Sequence, residues 1–155
     1  MAIKNQSSIW HHKIEQIFGL DLRSLALFRI GLALVLIADL LIRSRDIQAL
    51  YSDRGVLPTS VLSGLLKPWY WSVHALSGTP LVQALLFSLA LLMAFGMLIG
   101  YRTRLATIAS WALLISLQNR HPFVIFAADD VLRALMFWAM FLPLGATYSI
   151  DSALN

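Results

Sequence analysis

Apolar residues gather into long runs along this chain, and the polar residues gather between them. Residues 24–42 form the first run, interrupted by Arg29 and Asp39. Residues 81–100 form the second, with Gln83 and Ser88 as its polar members. Residues 105–119 form the third and residues 130–145 the fourth. Read as helices, the four runs predict an all-α, polytopic membrane protein. It has about four transmembrane helices, short interfacial helices, and a single domain over residues 1–155. The apolar cores of the last two runs are each on the order of 20 Å long at ~1.5 Å per residue. A bilayer core is ~30 Å thick, so polar groups between them are drawn below the water line.

Local signals mark the ends of these runs. Asp21 or Ser24 can cap the first. Thr79-Pro80 is a natural start for the second. Gly96 and Gly100 permit close helix contact near its end. Tyr101-Arg-Thr-Arg104 reads as a tight turn, and Pro122 prevents simple continuation of the third helix. Asp129 and Asp130 suit the start of the fourth, since carboxylates favour a helix N-terminus. Between the first two runs, residues 51–58 read as a turn built on Asp53 and Gly55. A short helix follows from Thr59 or Ser60 through Leu66.

Other segments belong at the membrane surface. Ile9, Trp10, Ile14, Ile17, Phe18 and Leu22 recur at near-helical spacing and predict a helix lying in the interface. Trp69, Tyr70 and Trp71 suit the headgroup layer. His74 reads as an interfacial side chain, and residues 147–155 as a polar tail.

Composition agrees. Hydrophobic residues make up 59% and charged residues 13%, against roughly 25% charged in an ordinary soluble domain. Mean hydropathy is +0.73. The net charge of +4 does not point to nucleic acid, because the basic residues flank apolar runs and form no stripe. The expected partners are the lipid bilayer and a membrane or adjacent-frame protein. Cysteine is absent, which removes disulfides, thiolate nucleophiles and Cys metal sites. His11, His12, His74 and His121 form no ligand spacing with carboxylates, so no metal is expected. The first run is longer than a signal-peptide core and no small-residue cleavage site follows it, so it reads as a retained span. The protein is expected in the cell membrane. The compact Arg102 and Arg104 turn favours a cytoplasmic amino terminus.

The candidate chemistry lies between the third and fourth runs. Asn119, Arg120, His121, Asp129, Asp130 and Arg133 sit there among apolar neighbours. Ionisable groups at that depth face a bundle interior or a water-filled cavity. Asp129 or Asp130 can pair with Arg133 on one helix face. Arg29 either snorkels to the near interface or points inward to a partner helix or an anionic ligand. Asp39 and Arg43 can pair at the far surface. Tyr51 and Asp53 mark a candidate loop.

Six motifs together resemble the horizontally transferred transmembrane (HTTM) domain family, related to the N-terminal half of vitamin K-dependent gamma-carboxylase. They are Leu27-Phe-Arg-Ile-Gly31, Tyr51-Ser-Asp-Arg-Gly-Val-Leu-Pro58, Gly100-Tyr-Arg-Thr-Arg104, Asn119-Arg-His-Pro122, Asp129-Asp-Val-Leu-Arg133 and Phe137-Trp-Ala-Met-Phe-Leu-Pro-Leu-Gly145. The resemblance implies a membrane protein with a polar intramembrane pocket and a binding or redox-accessory role. Vitamin K hydroquinone or another quinone is the ligand it implies. In the carboxylase branch a lysine and a histidine are catalytic. The branch's histidine follows an Asn-Asn pair. Asn119 matches the second of these, but Arg120 comes next and His121 falls one residue late, rotated by ~100° on a helix. The catalytic lysine segment lies beyond the place matching residues 149–155, so the chain resembles a truncated, front portion of the domain. Carboxylation by this stretch alone is not expected. A split or degenerate carboxylase-like enzyme, or a DoxX-like quinone-linked membrane subunit, are the alternatives.

Overall fold

The computed structural model describes residues 21–65 and 71–154. The expected interfacial helix before Leu22, with His11 and His12, lies outside the described residues, as do Trp69 and Tyr70. Helix α1 spans Leu22–Ser44. Asp21 caps it, its carboxylate accepting from Arg23 N and Ser24 Oγ, both at 3.0 Å. That satisfies a backbone donor left open at every helix start. A π-helical turn covers Ile47–Tyr51, and α2 covers Thr59–Leu65. Between them Gly55 N donates to Ser52 O at 3.0 Å, closing the expected turn.

Helix α3 spans Pro80–Ile99, with Pro80 where a missing N–H costs nothing. Gly100 ends it at φ 73°, a conformation that favours glycine. Arg102 then turns the chain at φ 43° into α4, Thr103–Arg120. A single 3-10 turn, Pro122–Val124, follows Pro122's interruption. Helix α5 spans Ala127–Ala139 and α6 spans Ile150–Leu154. No strand occurs among the described residues.

The four longer helices form a bundle. Helix α3 packs against both α1 and α4, and α5 packs against α4 and over a smaller surface against α1. Small side chains let the backbones approach: Ala33 on α1, Ala90 and Ala94 on α3, and Ala106 on α4 are all buried. At Gly96 an added Cβ would lie 3.6 Å from the Ala106 Cβ, ordinary contact. Leu36, Leu40, Phe87, Met97, Leu114, Leu117 and Met136 fill the space between.

Among the described residues, two helices are long and apolar enough to cross a membrane. Helix α1 has 23 residues and α3 has 20, with mean hydropathies of 2.5 and 2.3 over their most apolar stretches. Their outward faces carry exposed Leu27, Leu34, Val35 and Leu41 on α1, and Leu81, Leu85, Leu92 and Phe95 on α3. Helix α4 is shorter at 18 residues and buries Thr103, Thr107, Ser110 and Ser116. Helix α5 has only 13 residues and ends at Ala139, not at the expected position 145. Pro143 accounts for this, because a proline drives the residue before it out of helical geometry. The chain unwinds through Leu142 N to Ala139 O at 3.2 Å and Leu144 N to Leu142 O at 2.8 Å.

A candidate site at the loop end of the bundle

Three ionisable side chains join α1 to α5. Asp39 and Arg43 are one turn apart near the end of α1, and Arg43 Nε donates to both Asp39 oxygens at 2.9 Å. Arg43 Nη2 donates to Asp129 Oδ1 at 2.5 Å, and Nη1 reaches the Tyr51 hydroxyl at 3.4 Å. Asp129 also caps its own helix, Oδ2 accepting from Phe126 N at 2.9 Å. The Arg43, Asp39 and Asp129 side chains are 11%, 22% and 7% exposed. The expected Asp39–Arg43 pair therefore forms, but inside the bundle and not at the far surface. One cation between two carboxylates is a satisfied buried brace, stable because each charge keeps its partners.

Beside the brace, residues 71–79 fold back over the end of α4. Ser116 Oγ accepts from His74 N at 3.1 Å and lies 2.7 Å from His74 Nδ1. Ser72 Oγ donates to Ser116 O at 2.5 Å. Gln83 Nε2 donates to His74 O at 2.7 Å and Ser77 O at 2.6 Å. Asn119 Nδ2 donates to Trp71 O at 2.8 Å. These bonds hold the segment against α4 with His74 turned inward, so His74 is 1% exposed and not the interfacial side chain expected. Burial, and then the charge of Arg120, push its imidazole down to a pKa of about 4. It is neutral at physiological pH.

Arg120 and His121 are less well served. Arg120 is 0% exposed. Its Nη1 donates to Leu57 O at 2.9 Å. Its Nη2 lies 3.7 Å from Asp53 Oδ1, an ion-pair distance too long for a hydrogen bond. Nη2 and Nε have no hydrogen-bond partner among the described residues. His121 is 6% exposed and sits edge-on to Tyr51 and Phe123, ring centroids 6.3 Å away in each case. Neither of its ring nitrogens has a partner among the described residues.

Asp53 forms the outer rim. It accepts from Thr59 N at 2.7 Å, and its own N–H donates to Gly78 O at 2.8 Å. Its carboxylate occupies the space a Cβ on Gly78 would need, so that position admits no larger residue without displacing Asp53. The hydrogen bond from Thr59, then the Arg120 charge, hold its carboxyl below the ordinary carboxylate range.

The structure thus gathers Tyr51, Asn119, Arg120, His121 and Asp129 at one end, with Asp53 at the rim. Asp130 and Arg133 bond each other on the exposed side of α5 and do not join them. Asp129 turns away from Arg133 to Arg43. Arg29 points inward, 0% exposed, but at the opposite end. There it clasps the carbonyls of Leu144 at 3.3 Å and Tyr148 at 2.6 Å. Around it, Asp151 accepts from Arg102 N at 2.8 Å and from Thr103 N and Oγ1 at 2.7 Å, capping α4. The alpha-amide and side-chain hydrogen bonds from Thr103 lead in holding the Asp151 carboxyl below its ordinary range.

Sequence reasoning missed Arg43 as the hinge of the brace, and missed Ser116, Gln83 and Gln118. Gln118 Nε2 donates to Asp129 O at 3.3 Å. The available signal was polar residues in otherwise apolar turns. Among the described residues no group of three or more His, Asp or Glu is placed to hold a metal ion. An open hollow of about 410 Å³ beside Thr103 and Arg104 shares no residue with the loop-end cluster. Comparison with models of known families, with curated proteins and with solved structures finds no match to this chain.

Proposed function

We propose that the chain is a polytopic membrane protein of HTTM type with α1, α3, α4 and α5 as its spans. On this reading, Arg120 and His121 line a chamber for a ligand presenting an oxygen anion or carbonyl: a carboxylate, a phosphate or a quinone oxygen. The role is binding or redox-accessory. Support for the membrane comes from exposed apolar side chains on all four helices, including Ile108 on α4 and Val131 and Trp138 on α5. Such surface is unusual on a water-soluble monomer. The cytoplasmic placement of the amino terminus follows from the compact Arg102 and Arg104 turn.

One observation carries the chamber. The Arg43 brace is satisfied, whereas Arg120, more deeply buried, holds one carbonyl and leaves two nitrogens unbonded. An unsatisfied buried charge is costly, of the order of several kcal/mol. A planar guanidinium with free N–H groups is suited to a carboxylate, phosphate or quinone oxygen. Its ionic neighbour among the described residues, Asp53, is at the rim and 46% exposed, so an incoming oxygen ligand has little to displace.

The test is saturable quenching of tryptophan fluorescence in detergent by a short-chain naphthoquinone, with inorganic phosphate and acetate as further probes. Trp71 reports the site, since its carbonyl is bonded to Asn119. Arg120→Ala is expected to weaken binding at least tenfold. Arg54→Ala, at an exposed position, leaves it unchanged. Equal loss in both variants, or no saturation with any probe, refutes the chamber.

A further inference from the structure

We infer that the seam between α1 and α5 seats one acyl chain of a phospholipid whose headgroup carries an ammonium. This rests on the membrane reading above but not on the Arg120 chamber. The seam is a groove of about 410 Å³ lined by Phe28, Gly31 and Val35 on one side and Ala128, Val131 and Leu135 on the other. Its lining side chains are all apolar, so water entering it would find no partners. At Gly31 an added Cβ would meet nothing within 4 Å, which leaves the floor open.

Size selects the occupant. From Phe28 to Val35 the groove runs ~10 Å along α1 at ~1.5 Å per residue. A helix, about 10–12 Å across, would lie over the open seam and leave its floor unfilled. A single hydrocarbon chain is far narrower and fits along the seam.

Charge selects the headgroup. Asp39 lies on the same face of α1 as Phe28, within ~20° at ~100° per residue, and so stands at the groove's upper end. There the brace of Arg43, Asp39 and Asp129 carries a net charge of −1, and Asp39 is its most exposed member at 22%. Arg45 and Asp46, the next charges along the chain, cancel. A headgroup with N–H donors and a positive charge complements this end, and an anionic headgroup is repelled.

The experiment is native mass spectrometry of the protein reconstituted with equal phosphatidylethanolamine and phosphatidylglycerol. One phosphatidylethanolamine per chain is expected, favoured about fivefold. Gly31→Leu fills the groove with a better helix former and loses the lipid, as does Val35→Phe, while Arg120→Ala keeps it. Asp39→Asn keeps a lipid but loses the preference. The proposal fails if Gly31→Leu retains the same adduct, or if phosphatidylglycerol is favoured. It also fails if the groove variants instead dissociate a dimer, which would assign the seam to a second copy. Release of the chain from membranes by alkaline carbonate removes the membrane reading itself, a separate result.

Discussion

Arg43 and Asp129 meet at 2.5 Å across 86 positions of sequence, and that contact ties the end of α1 to the first turn of α5. Asp39 completes the group from within α1. Removing Arg43 alone strands two carboxylates beside each other. Arg43→Ala is therefore expected to cost about 3–5 kcal/mol. The joint replacement Arg43→Met, Asp39→Leu and Asp129→Leu is expected to cost less than that single change, because no charge is left unpaired. Thermal unfolding in detergent, followed by circular dichroism, measures both.

In the proposed chamber, Asp53 is a weak competitor of an anion for Arg120, 3.7 Å from its Nη2. Asp53→Asn keeps an acceptor for Thr59 N and removes the charge. Affinity for acetate or phosphate is expected to rise severalfold, since one negative neighbour disappears. An unchanged or lower affinity, with the fold intact, would show that Asp53 does not guard the guanidinium.

His74 makes stability depend on pH. Its folded pKa, about 4, lies below the ordinary 6.5. Between these values the unfolded chain binds the proton and the folded chain does not. Stability is thus fully present above about pH 6.5 and declines as pH falls towards 4. The loss approaches about 3 kcal/mol across that window. His74→Leu is expected to reduce the fall of the thermal midpoint between pH 6.5 and 5, where carboxylates are outside their ordinary titration range; His121, also held below the ordinary imidazole range by burial, sustains the remainder.

The opposite end of the bundle depends on Gly100 and Asp151. A Cβ at Gly100 would strike the Arg29 guanidinium and Ser149, and φ of 73° is unfavourable for other residues. Gly100→Ala is expected to release residues 144–154, read as faster proteolysis there. Asp151→Ala removes the α4 cap and is expected to cost about 1 kcal/mol.

Much of the helical framework was legible from residues 22 onwards. Asp21, Pro80, Gly100 and Pro122 are local signals, and each acts within a turn of itself. The fourth helix was drawn too long because apolar content continues to Leu144 while Pro143 stops the geometry earlier. The site was legible only in part. Asn119, Arg120, His121 and Asp129 stood out by polarity against apolar flanks. Their partners did not, because Leu57 and Trp71 reach them through backbone carbonyls and Arg43 from a distant helix. Spacing reports neighbours on one helix, as for Asp130 and Arg133, and is silent about contacts between helices. Arg29 shows the same limit: its partners are carbonyl oxygens, which every residue carries.

Those carbonyls also set an order of events at the ribosome. Leu144 is made 115 positions after Arg29, an interval on the order of ten seconds at roughly 5–20 residues per second. Throughout that interval the Arg29 guanidinium lacks the oxygens that later enclose it. On the proposed membrane reading it must stay hydrated, which holds the emerging segment near the aqueous boundary. Final seating of α1 therefore waits until residues 144–148 have been synthesised.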